Sequence, residues 1–154
     1  MVDIIGQLIT SFIATAAFGV IFNAPKETLV KCGLVGMGGW IIYYMAEKYS
    51  GDSVLATLLA TLFVGIVSQE FAKYYKTPVI IFSVAGIIPL VPGGLAYDTM
   101  RNFVEDDYFQ ALELGAKVTL LSGSIAFGLV FSEVINQVVR RIKGSKNQNL
   151  KNAN

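Results

Sequence analysis

Long apolar runs separated by short polar turns make up most of this chain. No charged residue lies between Asp3 and Lys26, and further apolar runs of similar length follow. Because a bilayer core is about 30 Å thick, a membrane-spanning helix needs about 20 mostly apolar residues. The pattern therefore predicts an all-α, polytopic transmembrane helix bundle with about five spans, at residues 4–22, 28–45, 53–71, 78–97 and 115–139. Residues 1–140 form the predicted membrane domain, and residues 141–154 form a basic tail on the cytoplasmic side.

Turn and interface signals bound these runs. Asn23 and Pro25 follow the first run, and this combination ends helices. The second run closes with Trp40, Tyr43 and Tyr44, which are typical of the aromatic belt at a membrane interface. The N-terminus lacks the basic segment of a cleavable signal peptide, so we expect the first run to be a retained span.

Composition agrees with a membrane protein and argues against several other classes. Hydrophobic residues make up 54% of the 154 residues and charged residues only 15%, against about 25% charged in soluble domains. A net charge of +1 gives no bulk attraction for nucleic acid. With no histidine and a single cysteine, zinc sites and Ser-His or Cys-His catalysis are not expected. We therefore expect no enzyme activity, metal or cofactor, and the absence of a nucleotide-binding motif argues against an ATPase.

Lysine and arginine positions predict the orientation. With five spans, an outside N-terminus and an inside C-terminus, nine of the twelve basic residues lie inside: Lys26, Lys31, Lys73, Lys76, Arg140, Arg141, Lys143, Lys146 and Lys151. Basic residues concentrate on the cytoplasmic side, so this orientation is favoured. The acidic stretch 98–113 then lies at the outer surface, as a loop or short amphipathic helix. A four-span arrangement with one re-entrant run is the alternative. It would no longer place most of the lysine and arginine residues on the cytoplasmic side.

The predicted fourth span contains residues that break helices. Pro89 and Pro92 each lack a backbone donor and clash with the preceding turn, while Gly93 and Gly94 tolerate non-helical backbone. We predict a break over residues 89–94. Broken backbone at membrane depth occurs where protein buries it or water reaches it, and such helix ends bind ions or anionic groups. The alternatives are a kink that only shapes the bundle and a break solvated at the outer interface.

A few polar residues lie within or beside the spans. Glu133 is a candidate proton site, or it snorkels or pairs with Arg140 or Arg141; Glu70 is placed to pair with Lys73. Thr57, Thr61 and Gly65 repeat at every fourth residue, and residues 115, 119, 122, 126 and 133 share one helix face; each stripe predicts helix packing or a polar pathway. The candidate pathway residues are Ser83, Pro89, Pro92, Gly93, Gly94, Tyr97, Lys117 and Glu133.

Two motifs resemble the threonine/serine exporter family. One is the turn Phe-Asn-Ala-Pro-Lys at 22–26, followed by a glycine-rich span that ends in Trp40. The other is Thr77-Pro78, then Ile-Pro-Leu-Val-Pro-Gly at 88–93, then Tyr97. The resemblance extends over residues 5–140, and Pro89, Pro92, Gly93 and Tyr97 occupy motif positions. The chain looks like the small C-terminal half of the family, similar to the small subunit of two-component bacterial succinate exporters.

This resemblance implies a function and a partner. It implies a secondary exporter of threonine/serine or of a dicarboxylate such as succinate, in the inner membrane of a bacterial cell. It also implies a larger multi-span partner subunit, because full-length relatives carry about ten spans on one chain. Two alternatives remain: an accessory subunit that stabilises a transporting partner, and a homo-oligomeric channel.

Overall fold

The computed structural model describes the backbone of residues 2–152 and the side chains of residues 4–142. Within that part of the chain every regular element is helical. The helices are α1 (Val2–Ile21), α2 (Lys26–Ser50), α3 (Ser53–Tyr75), α4 (Val79–Ile87), α5 (Gly93–Val104) and α6 (Tyr108–Asn152), with a 3-10 turn at Ile88–Leu90 between α4 and α5. The predicted all-α bundle is confirmed.

Local sequence explains where the helices end. The chain turns after α1 at Asn23, whose φ of 54° lies in the left-handed region that asparagine tolerates. Gly51 adopts the same region after α2, at φ 67°. Asp52 then caps α3, because its carboxylate accepts hydrogen bonds from the amides of Val54 and Leu55.

Helices α1, α2 and α3 pack through small residues. On α2, a side chain at Gly36 would collide with Thr15 of α1, and one at Gly39 would collide with Val64 of α3. Such positions let helix backbones approach closely, which is the main source of helix association in lipid. Helix α4 fits against α2 and α3, where Phe82 is fully buried.

The predicted break in the fourth span is confirmed. Helix α4 ends at Ile87, the 3-10 turn carries Pro89, and α5 begins at Gly93. The two segments Val79–Leu90 and Gly93–Val104 are bent by 54°.

Helices α3 and α6 lie parallel to each other, which bears on the number of crossings. Gly128 of α6 lies against Thr61 of α3, and Asn136 of α6 accepts a hydrogen bond from Lys73 of α3 at 2.8 Å. Residue numbers therefore rise in the same direction along both helices. The chain must return across the bundle between them, and α4 with α5 makes that return. This register favours five crossings over the four-span alternative.

The acidic stretch 98–113 forms a helical hairpin; of the two predicted forms, a loop or a short amphipathic helix, the structure shows helix. Helix α5 continues to Val104, and α6 already begins at Tyr108, seven residues before the predicted span at 115. The two helices pack on each other, and Phe103 and Tyr108 meet edge to face at 5.3 Å near the turn. At its other end α6 passes the predicted end at 139 and continues to Asn152.

Candidate functional site

The break leaves the N-terminus of α5 open. Pro92 precedes the helix, no side chain of the described residues caps it, and Gly93 donates its amide back to Val91 at 2.8 Å. A Cβ atom added at Gly93 or Gly94 would meet no other atom within 4 Å. Free amides at a helix N-terminus carry a partial positive charge and attract anions. The break therefore exposes a positively polarised helix end to open space.

The break lies within the depth of the bundle. Leu90 is 7% exposed and clusters with Val35, Ala60 and Val64 of the neighbouring helices. Ala60 follows Ser53, the first residue of α3, by seven positions, which corresponds to about 10 Å of helix. Protein therefore buries the first part of the break at Leu90, whereas Val91 is 49% exposed and Gly93 and Gly94 are exposed.

Polar and aromatic groups of α1 and α2 lie on the same side of the bundle as the break. Trp40 and Tyr43 pack against the cluster that contains Leu90, with ring centroids 5.3 Å apart. The Trp40 indole donates to the Gln7 amide oxygen at 3.4 Å, and the Tyr43 hydroxyl donates to Glu47 at 3.0 Å. Two of the three aromatic residues predicted as an interface belt, Trp40 and Tyr43, thus also pack against the cluster at the break.

The other predicted pathway residues are not brought together with the break. Ser83 is half-buried on α4, and its hydroxyl donates to the Val79 carbonyl at 3.1 Å. Tyr97 is 69% exposed on α5, while Lys117 and Glu133 are exposed on α6. Lys117 and Glu133 are 16 residues apart, about 24 Å along one helix. The eight candidates therefore do not line one pocket. Only four of them lie together, in the break itself: Pro89, Pro92, Gly93 and Gly94.

The predicted ion pairs have different outcomes. Glu70 and Lys73 are paired at 2.5 Å, as the sequence predicted. Glu133 forms no salt bridge with Arg140 or Arg141; its carboxylate accepts a hydrogen bond from the Gln137 amide at 3.4 Å.

Sequence reasoning missed a buried polar group between α3 and α6. Gln69 is 4% exposed and donates to the hydroxyl of Ser132 at 3.4 Å. Its side-chain oxygen and the hydroxyl of Ser68 are buried without a hydrogen-bond partner among the described residues. A signal was present, because Gln69 continues the four-residue spacing of Thr57, Thr61 and Gly65.

Basic and aromatic side chains gather at the end of the bundle where α3 ends. The Lys31 ammonium lies 3.4 Å from the centre of the Tyr75 ring, a cation–π contact. A cleft of about 590 Å³ adjoins this region, lined by Glu70, Phe71, Lys73, Tyr74 and Tyr75. Among residues 4–142, no three His, Cys, Asp or Glu side chains are grouped to hold a metal ion.

Comparison with known proteins decides the family. The family model described as "Threonine/Serine exporter, ThrE" matches residues 7–135, most of the chain. The chain belongs to the threonine/serine exporter family. This confirms the resemblance found in the sequence, and the apolar helices make it a multi-pass protein of the bacterial cell membrane.

Two relatives in this family extend well beyond the matched region. A threonine/serine exporter of Corynebacterium glutamicum is 29% identical over 135 residues, 88% of this chain but 27% of that protein. An uncharacterized protein of Haemophilus influenzae is 26% identical over 137 residues, 84% of this chain and 46% of that protein. The chain thus spans about half of one relative and about a quarter of the other. No solved structure matches it.

Proposed function

We propose that this chain is one half of a secondary membrane exporter for small carboxylate-bearing metabolites, either threonine/serine or a dicarboxylate such as succinate. It works with a larger multi-span partner subunit that supplies the remaining spans. The family match supports transport as the activity, and the relative named a threonine/serine exporter supports an amino acid as the substrate. The relatives' greater length supports the partner, because the chain matches only part of each.

The observation that carries the proposal is the open N-terminus of α5, which directly follows the buried Leu90. A carboxylate carries the charge that a helix N-terminus attracts, and half-helix ends bind such groups in other secondary transporters. Gly93 and Gly94 leave space for a ligand to approach the backbone amides. Rocking of this chain against its partner subunit then exposes the site to each side of the membrane in turn.

An export assay tests this proposal with a matched pair of glycine variants. Gly94→Val fills the space at the α5 N-terminus, whereas Gly6→Val makes the same change on α1, where a Cβ atom also meets nothing within 4 Å. Cells are loaded with a threonine-containing dipeptide or made to accumulate succinate, and efflux is measured with the partner present. We expect Gly94→Val to reduce efflux at least about tenfold and Gly6→Val to change it less than about twofold.

Three outcomes separate this proposal from its alternatives. Equal efflux with and without the gene for this chain contradicts an exporter subunit. Loss of the assembled complex in Gly94→Val, together with loss of efflux, supports an accessory subunit that stabilises its partner. Efflux by the chain purified alone and reconstituted in vesicles, as an oligomer of itself, supports the homo-oligomeric channel.

A further inference from the structure

Helix α6 uses one face to pack on the rest of the bundle. The buried residues of its membrane-spanning part share that face: Leu121, Ser124, Ile125, Gly128 and Ser132. Gly128 lies against Thr61 of α3, and Ser132 lies against Gly65 of α3. This is the ordinary small-residue packing of membrane helices.

The opposite face of α6 is also small and polar, yet no helix of the described chain covers it. At about 100° per residue, this second set is centred roughly 150° from the first. We call it the polar stripe of α6; its members are Thr119, Ser122, Gly123, Ala126, Glu133 and Gln137, all exposed except the half-exposed Gly123. One large apolar residue, Val130, lies on the same face and is 60% exposed. Beside the stripe lies a flank that suits lipid, with Leu120 and Phe127 60% and 64% exposed.

Two glycines on α6 show that the stripe is not explained by packing within this chain. A Cβ atom at Gly128 would collide with Thr61, so glycine is required there by α3. A Cβ atom at Gly123 would meet nothing within 4 Å. Glycine weakens a helix interior relative to alanine. Glycine at position 123 therefore lowers helix stability without improving packing in the described bundle. The open space beside it would admit the backbone of another helix.

Glu133 adds a carboxylate to the stripe, toward the end of α6 that lies beside the end of α3. It lies three residues before Asn136, the residue that meets Lys73 near the end of α3. Its only hydrogen bond within the described chain comes from Gln137 on its own helix. A carboxylate facing hydrocarbon is costly unless a cation or hydrogen-bond donor meets it. Charge complementarity therefore favours a cation or hydrogen-bond donor opposite Glu133 on the helix that covers the stripe.

We propose that the polar stripe of α6 docks a membrane-spanning helix from the rest of the exporter, one with small residues facing Gly123 and Ala126 and a lysine, arginine or amide donor facing Glu133. This inference rests on the proposed function, because it assigns the docking face for the partner half. In the Haemophilus relative more than half of the protein lies outside the match, which leaves enough chain for such a helix.

Site-specific photo-cross-linking of the full chain, co-expressed with the proposed larger multi-span partner subunit, tests the docking face. The photoreactive residue replaces Ser122 or Ala126 on the stripe, and Leu120 or Phe127 on the lipid flank as matched controls. We expect cross-links to that partner from the stripe positions and at least about tenfold fewer from the flank. A cross-link mainly to a second copy of this chain, to lipid, or equally from both faces overturns the proposal.

Bulky substitutions give a second, independent test. Ala126→Trp should reduce co-purification of the partner at least about tenfold without lowering the melting temperature of this chain purified alone. Leu120→Trp should leave co-purification unchanged. Full assembly of Ala126→Trp overturns the docking face but leaves the exporter proposal intact, since that proposal is tested by efflux of Gly94→Val.

Charge at Glu133 can be probed in the same complex. Glu133→Gln keeps hydrogen bonding and should reduce co-purification less than Glu133→Leu, which removes it. Equal co-purification by the wild type and Glu133→Leu would overturn the donor facing Glu133.

Discussion

At the scale of single residues, glycine and hydroxyl side chains set how closely the helices approach. Gly36 faces Thr15, Gly128 faces Thr61, and in both places a single added carbon would collide with a neighbour. Hydroxyls suit such contacts because they can bond to their own helix: Thr15 donates to the Ser11 carbonyl at 2.8 Å. Thr15 and Thr61, which donates to the Thr57 carbonyl at 2.7 Å, thus pack at these interfaces without an unpaired donor.

Gly123 and Gly128 of α6 give a prediction about stability. Gly128→Ala should lower the free energy of unfolding by about 1–3 kcal/mol, since the new methyl group meets Thr61 and the Leu58 carbonyl. Gly123→Ala should leave it unchanged or raise it by up to about 1 kcal/mol, because alanine favours the helix and meets nothing. Thermal unfolding of each variant purified alone in detergent measures the difference. Equal melting temperatures would contradict the packing described for Gly128.

At the scale of helices, the break between α4 and α5 has a local chemical cause. Proline removes a backbone donor and crowds the preceding turn, so Pro89 and Pro92 prevent one continuous helix. The 54° bend that results turns α5 away from α1–α3, and α5 packs mainly on α6 among the described helices. The bend thereby separates a buried half-span, α4, from a half-span with no buried residue, α5.

The start of α3 gives a prediction at this scale. Asp52 accepts hydrogen bonds from Val54 at 2.8 Å and from Leu55 at 3.4 Å, and it satisfies amides that the helix itself cannot. Asp52→Ala should cost about 1 kcal/mol of unfolding free energy, a typical value for loss of such a cap. Asp52→Asn keeps the acceptor and should cost less. Thermal unfolding in detergent compares the three proteins; a cost as large for asparagine as for alanine would contradict a capping role.

At the scale of the whole molecule, the parallel packing of α3 and α6 determines how the chain crosses the membrane. Helices α1, α2 and α3 follow one another through short turns, so each reverses the direction of the one before. Because α6 runs parallel to α3, the bent α4–α5 pair must complete one crossing. The ends of α2 and α5 then lie on one side, and the end of α3 lies on the other.

Labelling of introduced cysteines tests this arrangement and its orientation together. Tyr49, Tyr74 and Phe109 are 87%, 79% and 83% exposed, so cysteine at each position is accessible to a reagent. With the N-terminus outside, a membrane-impermeant maleimide should label Tyr49→Cys and Phe109→Cys in intact cells, and Tyr74→Cys only after permeabilisation. The parent chain is the control, because its Cys32 is fully buried. Labelling of Phe109→Cys and Tyr74→Cys from the same side would contradict five crossings.

The sequence by itself determined the membrane class, the helical architecture and the position of the break. Those features follow from local properties: the apolar length needed to cross a bilayer and the missing donors of Pro89 and Pro92. The tertiary structure alone decided that α3 and α6 are parallel, that stretch 98–113 is a helical hairpin, and that Gln69 meets Ser132 while Glu133 faces outward. A helix sequence shows which faces are small or polar, but only its neighbours decide which of those faces becomes buried.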